Sequence, residues 1–138
     1  MHVMRTWAEG HIEIRFKQYK SGCGDCDPMF KFCVDRPSSE KSVDNSKCSY
    51  GTAGESGHYH NTGTVNFGSD IKGIANPWKV RFGRLHEKSI MLVARTRDDD
   101  IFGADHMQTW GQVYTERVYP TESEAKYVER KMRQGSHE

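Results

Sequence analysis

Apolar runs are short in this sequence, and none approaches the roughly 20 residues that a membrane-spanning helix needs. The first ten residues, MHVMRTWAEG, also lack the apolar stretch of a signal peptide. If the protein is secreted, we therefore expect this chain to be a fragment, a mature form or a product with a misassigned start. Excess positive charge is absent as well, since 20 lysines and arginines face 19 acidic residues. This balance argues against a nucleic-acid-binding surface, which needs a clustered basic face.

The sequence motifs of common enzymes are missing too. We find no nucleophile elbow, no phosphate-binding loop and no metalloprotease helix. We therefore predict that the protein is not an enzyme. The alternative of a small enzyme with an unrecognised site predicts turnover that substitutions within 98–106 or of His58 would abolish.

Cysteine is sparse but clustered. The four cysteines of the 138-residue chain, Cys23, Cys26, Cys33 and Cys48, all lie in its first half. Four cysteines allow three disulfide pairings, and the residues alone do not choose among them. The chain has the usual length of one domain, and its six Tyr, six Phe and three Trp support a packed core.

Alternation of apolar and polar residues predicts a mainly-β protein. In MFKFCV, residues 29–34, Phe30 and Phe32 share one face and Cys33 lies on the other. The most apolar run, 89–96, predicts a central strand. Short strands joined by glycine-rich turns favour an antiparallel β-sandwich. The predicted strands cover 12–19, 29–34, 64–67, 78–82, 89–96 and 109–119.

Three polar segments are predicted to lie outside strands. Residues 22–28 are rich in glycine and aspartate and predict a turn. Residues 97–106, RDDDIFGADH, predict an acidic loop. Near the end of the chain, Thr121-x-x-Glu124 is a capping-box signature followed by apolar residues at helical spacing. It predicts a short helix over 122–133.

Acidic loop residues are candidates for a calcium site, because calcium binds several oxygen ligands. Their spacing does not match the EF-hand loop, and an exposed acidic turn is the simpler explanation. A calcium site would also need a second acidic loop nearby. The candidate ligands are Asp98, Asp99, Asp100 and Asp105, with Asp25, Asp27 and Asp70 as donors from the second loop.

Cys23-x-x-Cys26 has the spacing of a zinc-binding cysteine pair, and His58-x-His60 could complete four ligands. The alternative function is therefore a small zinc-binding adaptor domain. The two-residue spacing of the histidines and their glycine-rich surroundings favour ordinary surface histidines instead.

The order of these elements resembles the N-terminal (MNNL) domain of the Notch ligands, the Delta/Serrate/Jagged family. IEIRFKQY, CDPMFKFCVD and KCSYGTAG follow the family's order of a strand, a cysteine, an aromatic strand with a second cysteine, a polar loop, and a third cysteine before Tyr-Gly. Further on, Trp78–Phe82 and Ser89–Thr96 take the places of two more family strands. The resemblance covers about residues 11–118.

The resemblance implies a C2-domain-like β-sandwich over residues 11–120. The segment 121–138 would then lead toward the DSL domain and EGF repeats of a larger, membrane-anchored ligand at the cell surface. The resemblance also implies a Cys33–Cys48 disulfide and, with it, a Cys23–Cys26 disulfide. Near the end of the chain it implies a last strand, where the capping box predicts a helix.

The function that the resemblance implies is recognition of the EGF repeats of a Notch receptor in cell–cell signalling. Loop tips of the family can bind phospholipid, in some members with calcium. The family's calcium-binding aspartate falls near Arg97 here, with the acids displaced to Asp98–Asp100. Trp78 and Trp110 are expected in the core. The candidate contact loops are 22–28, 68–76 and 97–106, and the candidate partner or lipid contacts are Phe102, Asp27 and Asp70.

Overall fold

The computed structural model describes residues 2–7, 10–36, 48–81, 90–100, 103–114 and 120–130. The described residues form strands, and among them there is no helix with the length and apolarity to span a membrane. The strands are β1 (His2–Trp7), β2 (His11–Phe16), β3 (Gln18–Lys20), β4 (Pro28–Asp35), β5 (Gly51–Glu55), β6 (Thr64–Asn66), β7 (Asp70–Ile71), β8 (Ile74–Ala75), β9 (Trp78–Arg81), β10 (Ile90–Asp100), β11 (Gly103–Tyr114) and β12 (Val128–Arg130).

Two four-stranded antiparallel sheets form the body of the fold. The first sheet has the strand order β12–β1–β2–β9, and the second has the order β11–β10–β4–β5. The pairs β3–β6 and β7–β8 form two small antiparallel ribbons. Because β1 and β12 pair with each other, the first sheet includes residues on both sides of the 11–120 range.

One hydrophobic core fills the space between the two sheets. Phe16 of β2 stacks on Phe32 of β4, with ring centroids 3.9 Å apart. Alternate residues of β4 face this core as predicted, whereas Cys33 packs on the opposite side with Met91 and Val93. The mainly-β, antiparallel sandwich predicted from the sequence is therefore confirmed.

Most predicted strands are present, with different ends. The predicted strand 12–19 is interrupted at Lys17, whose carbonyl accepts a hydrogen bond from the Phe67 N–H at 2.9 Å. This break lets the chain leave the first sheet and pair with β6. Residues 82, 89 and 115–119 of the predicted strands lie outside the described residues. β1 and β5 were not predicted, because β5 lies in a glycine-rich segment and β1 carries charged and polar residues between its apolar ones.

The acidic loop predicted over 97–106 is wrong for the described residues of this segment. β10 continues through the aspartates to Asp100, and β11 begins at Gly103. The two strands pair Asp98 with Asp105 after a register shift between Thr96 and Arg97. Main-chain pairing with a neighbouring strand continues here in spite of the acidic side chains, so the segment is the end of a long hairpin.

The helix predicted over 122–133 is also wrong for the described residues. The two residues of the capping-box signature contact each other through their side chains, since the Thr121 hydroxyl donates to Glu124 Oε1 at 3.0 Å. The turn then stops: the Ala125 N–H donates to the Glu122 carbonyl at 3.1 Å, and Val128–Arg130 pairs with β1. Residues 131–133 lie outside the described part of the chain.

A buried carboxylate explains why this segment does not continue as a helix. Glu13 lies on the predicted polar face of β2, yet it is only 3% exposed. Its carboxylate accepts hydrogen bonds from Arg5 at 3.2 and 3.3 Å and from the Tyr127 hydroxyl. Arg5 also donates to the carbonyls of Glu122 and Ala125 at 3.1 and 3.3 Å. Burial of Glu13 requires such partners, and Arg5 therefore holds the segment against the outer face of the first sheet.

Asn76 extends the hydrogen bonding of β2 beyond the end of β9. The Phe16 N–H donates to Asn76 Oδ1 at 2.9 Å, and Asn76 Nδ2 donates to the carbonyls of Phe16 and Gly68 at 2.8 and 2.7 Å. The β2–β9 pairing reaches only Ile14 opposite Trp78. The buried side chain of Asn76 thus takes the place of a neighbouring strand for Phe16.

We expect Asn76→Ala to lower the free energy of unfolding by about 2–3 kcal/mol, because it leaves buried main-chain groups of Phe16 without partners. Urea unfolding measures the change. Asn66→Ala is the matched control, since Asn66 is exposed and its side-chain oxygen accepts a hydrogen bond from the Gln18 side chain at 2.8 Å. A loss no larger than the control's, within about 0.5 kcal/mol, would contradict this role for Asn76.

Candidate functional site

Both cysteine pairs that the resemblance implies are disulfides in the structure. The Cα atoms are 5.5 Å apart in Cys23–Cys26 and 5.6 Å apart in Cys33–Cys48. Cys33 is fully buried and joins β4 to the residues just before β5. Cys23–Cys26 closes the turn that precedes Pro28, the first residue of β4. The Cys23–Cys26 disulfide therefore closes a turn at one end of the sandwich.

Polar residues from three segments meet at this end. The register that places Asp98 of β10 opposite Pro28 of β4 also places it beside the preceding residue, Asp27. The Asp27 N–H donates to Asp98 Oδ1 at 2.8 Å, and the Asn61 N–H donates to Asp27 Oδ1 at 2.7 Å. His60 Nδ1 lies 3.4 Å from the same Asp27 oxygen. We call Asp27, His60, Asn61 and Asp98 the tip cluster.

Main-chain hydrogen bonds hold the two loops of the tip cluster together. The Tyr59 N–H donates to the Pro28 carbonyl, and the Thr62 N–H donates to the Cys26 carbonyl, both at 2.9 Å. The segment 59–62 thus runs beside 26–28, and these two main-chain hydrogen bonds join them. The sequence indicated only a glycine-rich loop here, because hydrogen bonds between distant loops leave no local pattern.

The tip cluster meets one requirement of the predicted calcium site. Asp27 lies in the turn before β4 and Asp98 lies in β10, so two separate segments supply carboxylates, and Asp27 was one of the predicted second-loop donors. One oxygen of each carboxylate accepts a main-chain N–H. Calcium takes about six to eight oxygen ligands. The side chains of the other predicted ligands, Asp99, Asp100 and Asp105, lie outside the described part, so calcium binding stays a prediction.

The other predicted contact residues do not join the described tip cluster. Asp70 is the first residue of β7, and its carboxylate accepts the Gly73 N–H of the β7–β8 turn at 3.3 Å. Asp25 lies near Cys23, with its Oδ1 3.5 Å from the sulfur. Phe102 lies outside the described residues. Of the tryptophans, Trp110 is buried and Trp78 packs against the core, as expected.

Asp70 acts on Tyr59, the residue that precedes the tip cluster. Burial raises the pKa of the Tyr59 hydroxyl, and the negative charge of Asp70 raises it further. Lys72 lies over the Tyr59 ring at 5.3 Å from its centroid. Burial and the charge of Asp70 therefore both favour the neutral form of the Tyr59 phenol.

The four predicted zinc ligands differ in whether they remain able to bind a metal. Cys23 and Cys26 are bonded to each other, so neither sulfur is a thiolate that could hold zinc. The Asp25 carboxylate lies within 4.8 Å of both sulfurs. His60 belongs to the tip cluster, and His58 is exposed nearby in the chain. In the disulfide form the set thus lacks two of its four predicted zinc ligands.

The fold and the site together define a class, a disulfide-linked antiparallel β-sandwich with an ordered polar tip. No known protein-family model matches the chain, and no curated protein is significantly similar to it. The resemblance to the Notch-ligand N-terminal domain therefore depends on the residue pattern of the sequence.

We expect Asp70→Asn to lower the pKa of Tyr59, because it removes the nearby negative charge while the asparagine oxygen can still accept the Gly73 N–H. The pKa should stay above the ordinary value of 10.0, since burial is the larger cause. An NMR titration of the Tyr59 ring measures the shift. It begins at about pH 9, one unit below the ordinary pKa, and Asp25→Asn serves as the control.

The raised pKa also fixes the sign of a pH effect on folding. The unfolded chain ionises Tyr59 near pH 10.0, before the folded chain does. The contribution of Tyr59 to folding stability is therefore fully present below that pH and is lost as the pH rises through the folded pKa. An unchanged pKa in Asp70→Asn would contradict the proposed charge effect.

Proposed function

We propose that the chain is a non-catalytic recognition module of an extracellular, membrane-anchored ligand, and that it binds the EGF repeats of a Notch receptor. The observation that supports this most is the Cys33–Cys48 disulfide. It links the aromatic strand β4 to the cysteine before Tyr50-Gly51, the place that the resemblance implies. Structural disulfides persist in oxidising compartments such as the cell exterior, which supports the proposed location.

The tip cluster and the adjoining Cys23–Cys26 turn are the proposed contact surface. Asp25, His60 and Asn61 are exposed there, and they offer a carboxylate, an imidazole and an amide to a partner. The disulfide and the loop-to-loop hydrogen bonds fix this surface before binding. A preorganised surface loses less conformational entropy when a partner docks, so the arrangement suits recognition.

Calcium and phospholipid belong to the same proposal. Asp27 and Asp98 would contribute carboxylate oxygens to a calcium ion at the tip, and the ion would present positive charge to anionic lipid headgroups. The resemblance implies both partners, and the contact of the Asp98 carboxylate with the main chain of Asp27 supports the calcium part.

Biolayer interferometry against an immobilised fragment of Notch EGF repeats tests the receptor part. We expect the wild-type chain to bind in millimolar calcium, and the double variant Asp25→Lys/His60→Glu to bind roughly tenfold more weakly, because it changes the charge and shape of two exposed side chains at the tip. Arg36→Glu is the matched control, since Arg36 is exposed and follows the far end of β4. It should bind as the wild type does.

Two further arms make this experiment decisive. Replacing calcium by a chelator should weaken binding in the wild type but leave Asp98→Asn little changed, because that variant already lacks one carboxylate charge. Vesicles that contain phosphatidylserine replace the receptor fragment in the second arm. Absence of receptor binding by the wild type, or equal losses in the tip and Arg36 variants, would contradict the proposed function.

A further inference from the structure

The Cys23–Cys26 turn holds a third metal-binding side chain, which the sequence did not indicate as a zinc ligand. Asp25 lies between the two cysteines, and its Oδ1 is 3.5 Å from the Cys23 sulfur. The ligand atoms of Cys23, Asp25 and Cys26 all lie within 4.8 Å of one another. Among the residues that the structure describes, no other three histidine, cysteine or carboxylate side chains are grouped so closely. The turn therefore concentrates potential ligands, two of which the disulfide joins.

The two disulfides of the chain differ in their exposure. Cys23 and Cys26 are both partly exposed, and Asp25 between them is exposed. Cys33, by contrast, is 0% exposed and packs in an apolar cluster. Exposed disulfides are the more easily reduced ones, because thiol–disulfide exchange requires access to a sulfur. We therefore expect reduction to open Cys23–Cys26 before Cys33–Cys48.

Main-chain hydrogen bonds hold both ends of this turn independently of the disulfide. The Ser21 N–H donates to the Gly63 carbonyl at 2.7 Å, and the Thr62 N–H donates to the Cys26 carbonyl at 2.9 Å. Gly63 also packs closely against the turn, since a Cβ atom there would lie 2.9 Å from the Cys23 carbonyl oxygen. The turn should therefore keep its position, with the three side chains still close together, when the S–S bond breaks.

We propose that reduction by a dithiol converts this turn into a zinc site made of Cys23, Asp25 and Cys26. The dithiol transfers two electrons and two protons. The S–S bond between Cys23 and Cys26 breaks, two thiols form, and the reductant becomes a disulfide. Zinc then displaces the two thiol protons, because the thiolate is the form that binds a metal.

The chemistry of these side chains suits zinc better than calcium. Zinc accepts thiolate and carboxylate ligands in tetrahedral sites, and three protein ligands leave the fourth position for water. Calcium takes only oxygen ligands, so the proposed calcium ion at Asp27 and Asp98 belongs to a different site. The zinc site shares its turn with the proposed contact surface. Its test uses no receptor, so the two proposals can fail separately.

Calorimetric titration of the full chain with zinc, after graded reduction by a phosphine, tests the proposal. A phosphine adds no thiols that would compete for zinc. Peptide mapping of alkylated samples identifies the phosphine concentration at which only Cys23–Cys26 is open. We expect this selectively reduced chain to bind a zinc ion that the oxidised chain does not bind. Cobalt(II) in place of zinc should give the absorption of tetrahedral thiolate coordination.

Three variants of the reduced chain identify the ligands. Asp25→Asn should weaken zinc binding roughly tenfold or more, since even the loss of a group that only supports a metal ligand costs about that much. Asp70→Asn is the matched control, because Asp70 is an exposed carboxylate outside this group, and it should bind as the wild type does. The double variant His58→Gln/His60→Gln should also bind normally, which separates this site from the four-ligand set predicted from the sequence.

Several results would overturn the proposal. Opening of both disulfides at the same phosphine concentration would contradict the inferred difference in accessibility. Failure of the selectively reduced chain to bind zinc, or unchanged zinc affinity in Asp25→Asn, would contradict the site itself. A loss in the histidine variant as large as that in Asp25→Asn would assign the zinc to the set of two cysteines and two histidines instead.

Discussion

β10 pairs with β4 on one side and with β11 on the other over nearly its whole length. Its residues Met91, Leu92 and Val93 are completely buried, because both faces of the strand are covered. A shift of one residue in the pairing would move every side chain of the strand to the opposite face, so burial specifies the register of the pair. The position of β10 against β4 therefore decides which side chains meet at either end of the second sheet.

Three separate features follow from that register. Val93 lies opposite Cys33, and both pack in the small cluster that also contains Cys48. One residue further along β10, Ala94 lies opposite Phe32, and both belong to the core between the sheets. At the far end, the pairing brings Asp98 to the turn that precedes β4, where it accepts the Asp27 N–H. The disulfide, this core contact and the tip cluster are thus positions along one strand pair.

The sequence predicted those parts of the fold that local patterns encode. Alternation along β4 identified the core face with Phe30 and Phe32, and the apolar run identified the central strand. It could not predict features that depend on distant partners. The acidic end of β10 is a strand because β4 and β11 pair with it. The segment after Thr121 forms a turn and not a helix, because Arg5 binds the carbonyls of Glu122 and Ala125.

For the candidate site, the sequence identified individual residues but not which of them lie together. Asp27 and Asp98 were both candidates, and the structure brings them together. Asp70 was grouped with them, yet it lies in β7, where its charge acts on Tyr59. The main-chain contact of Asn61 and the buried hydrogen bonds of Asn76 and Glu13 were not predicted, since their partners lie far away in the chain or on another strand.

Our central proposal is that this disulfide-linked sandwich functions outside the cell. Mass spectrometry of the unfolded native chain, alkylated before and after reduction and then mapped by peptide, tests it most directly. The account predicts that no cysteine is alkylated before reduction and that all four are alkylated afterwards, with Cys33 linked to Cys48 and Cys23 linked to Cys26. Free thiols in the native chain, or a different pairing, would contradict the account.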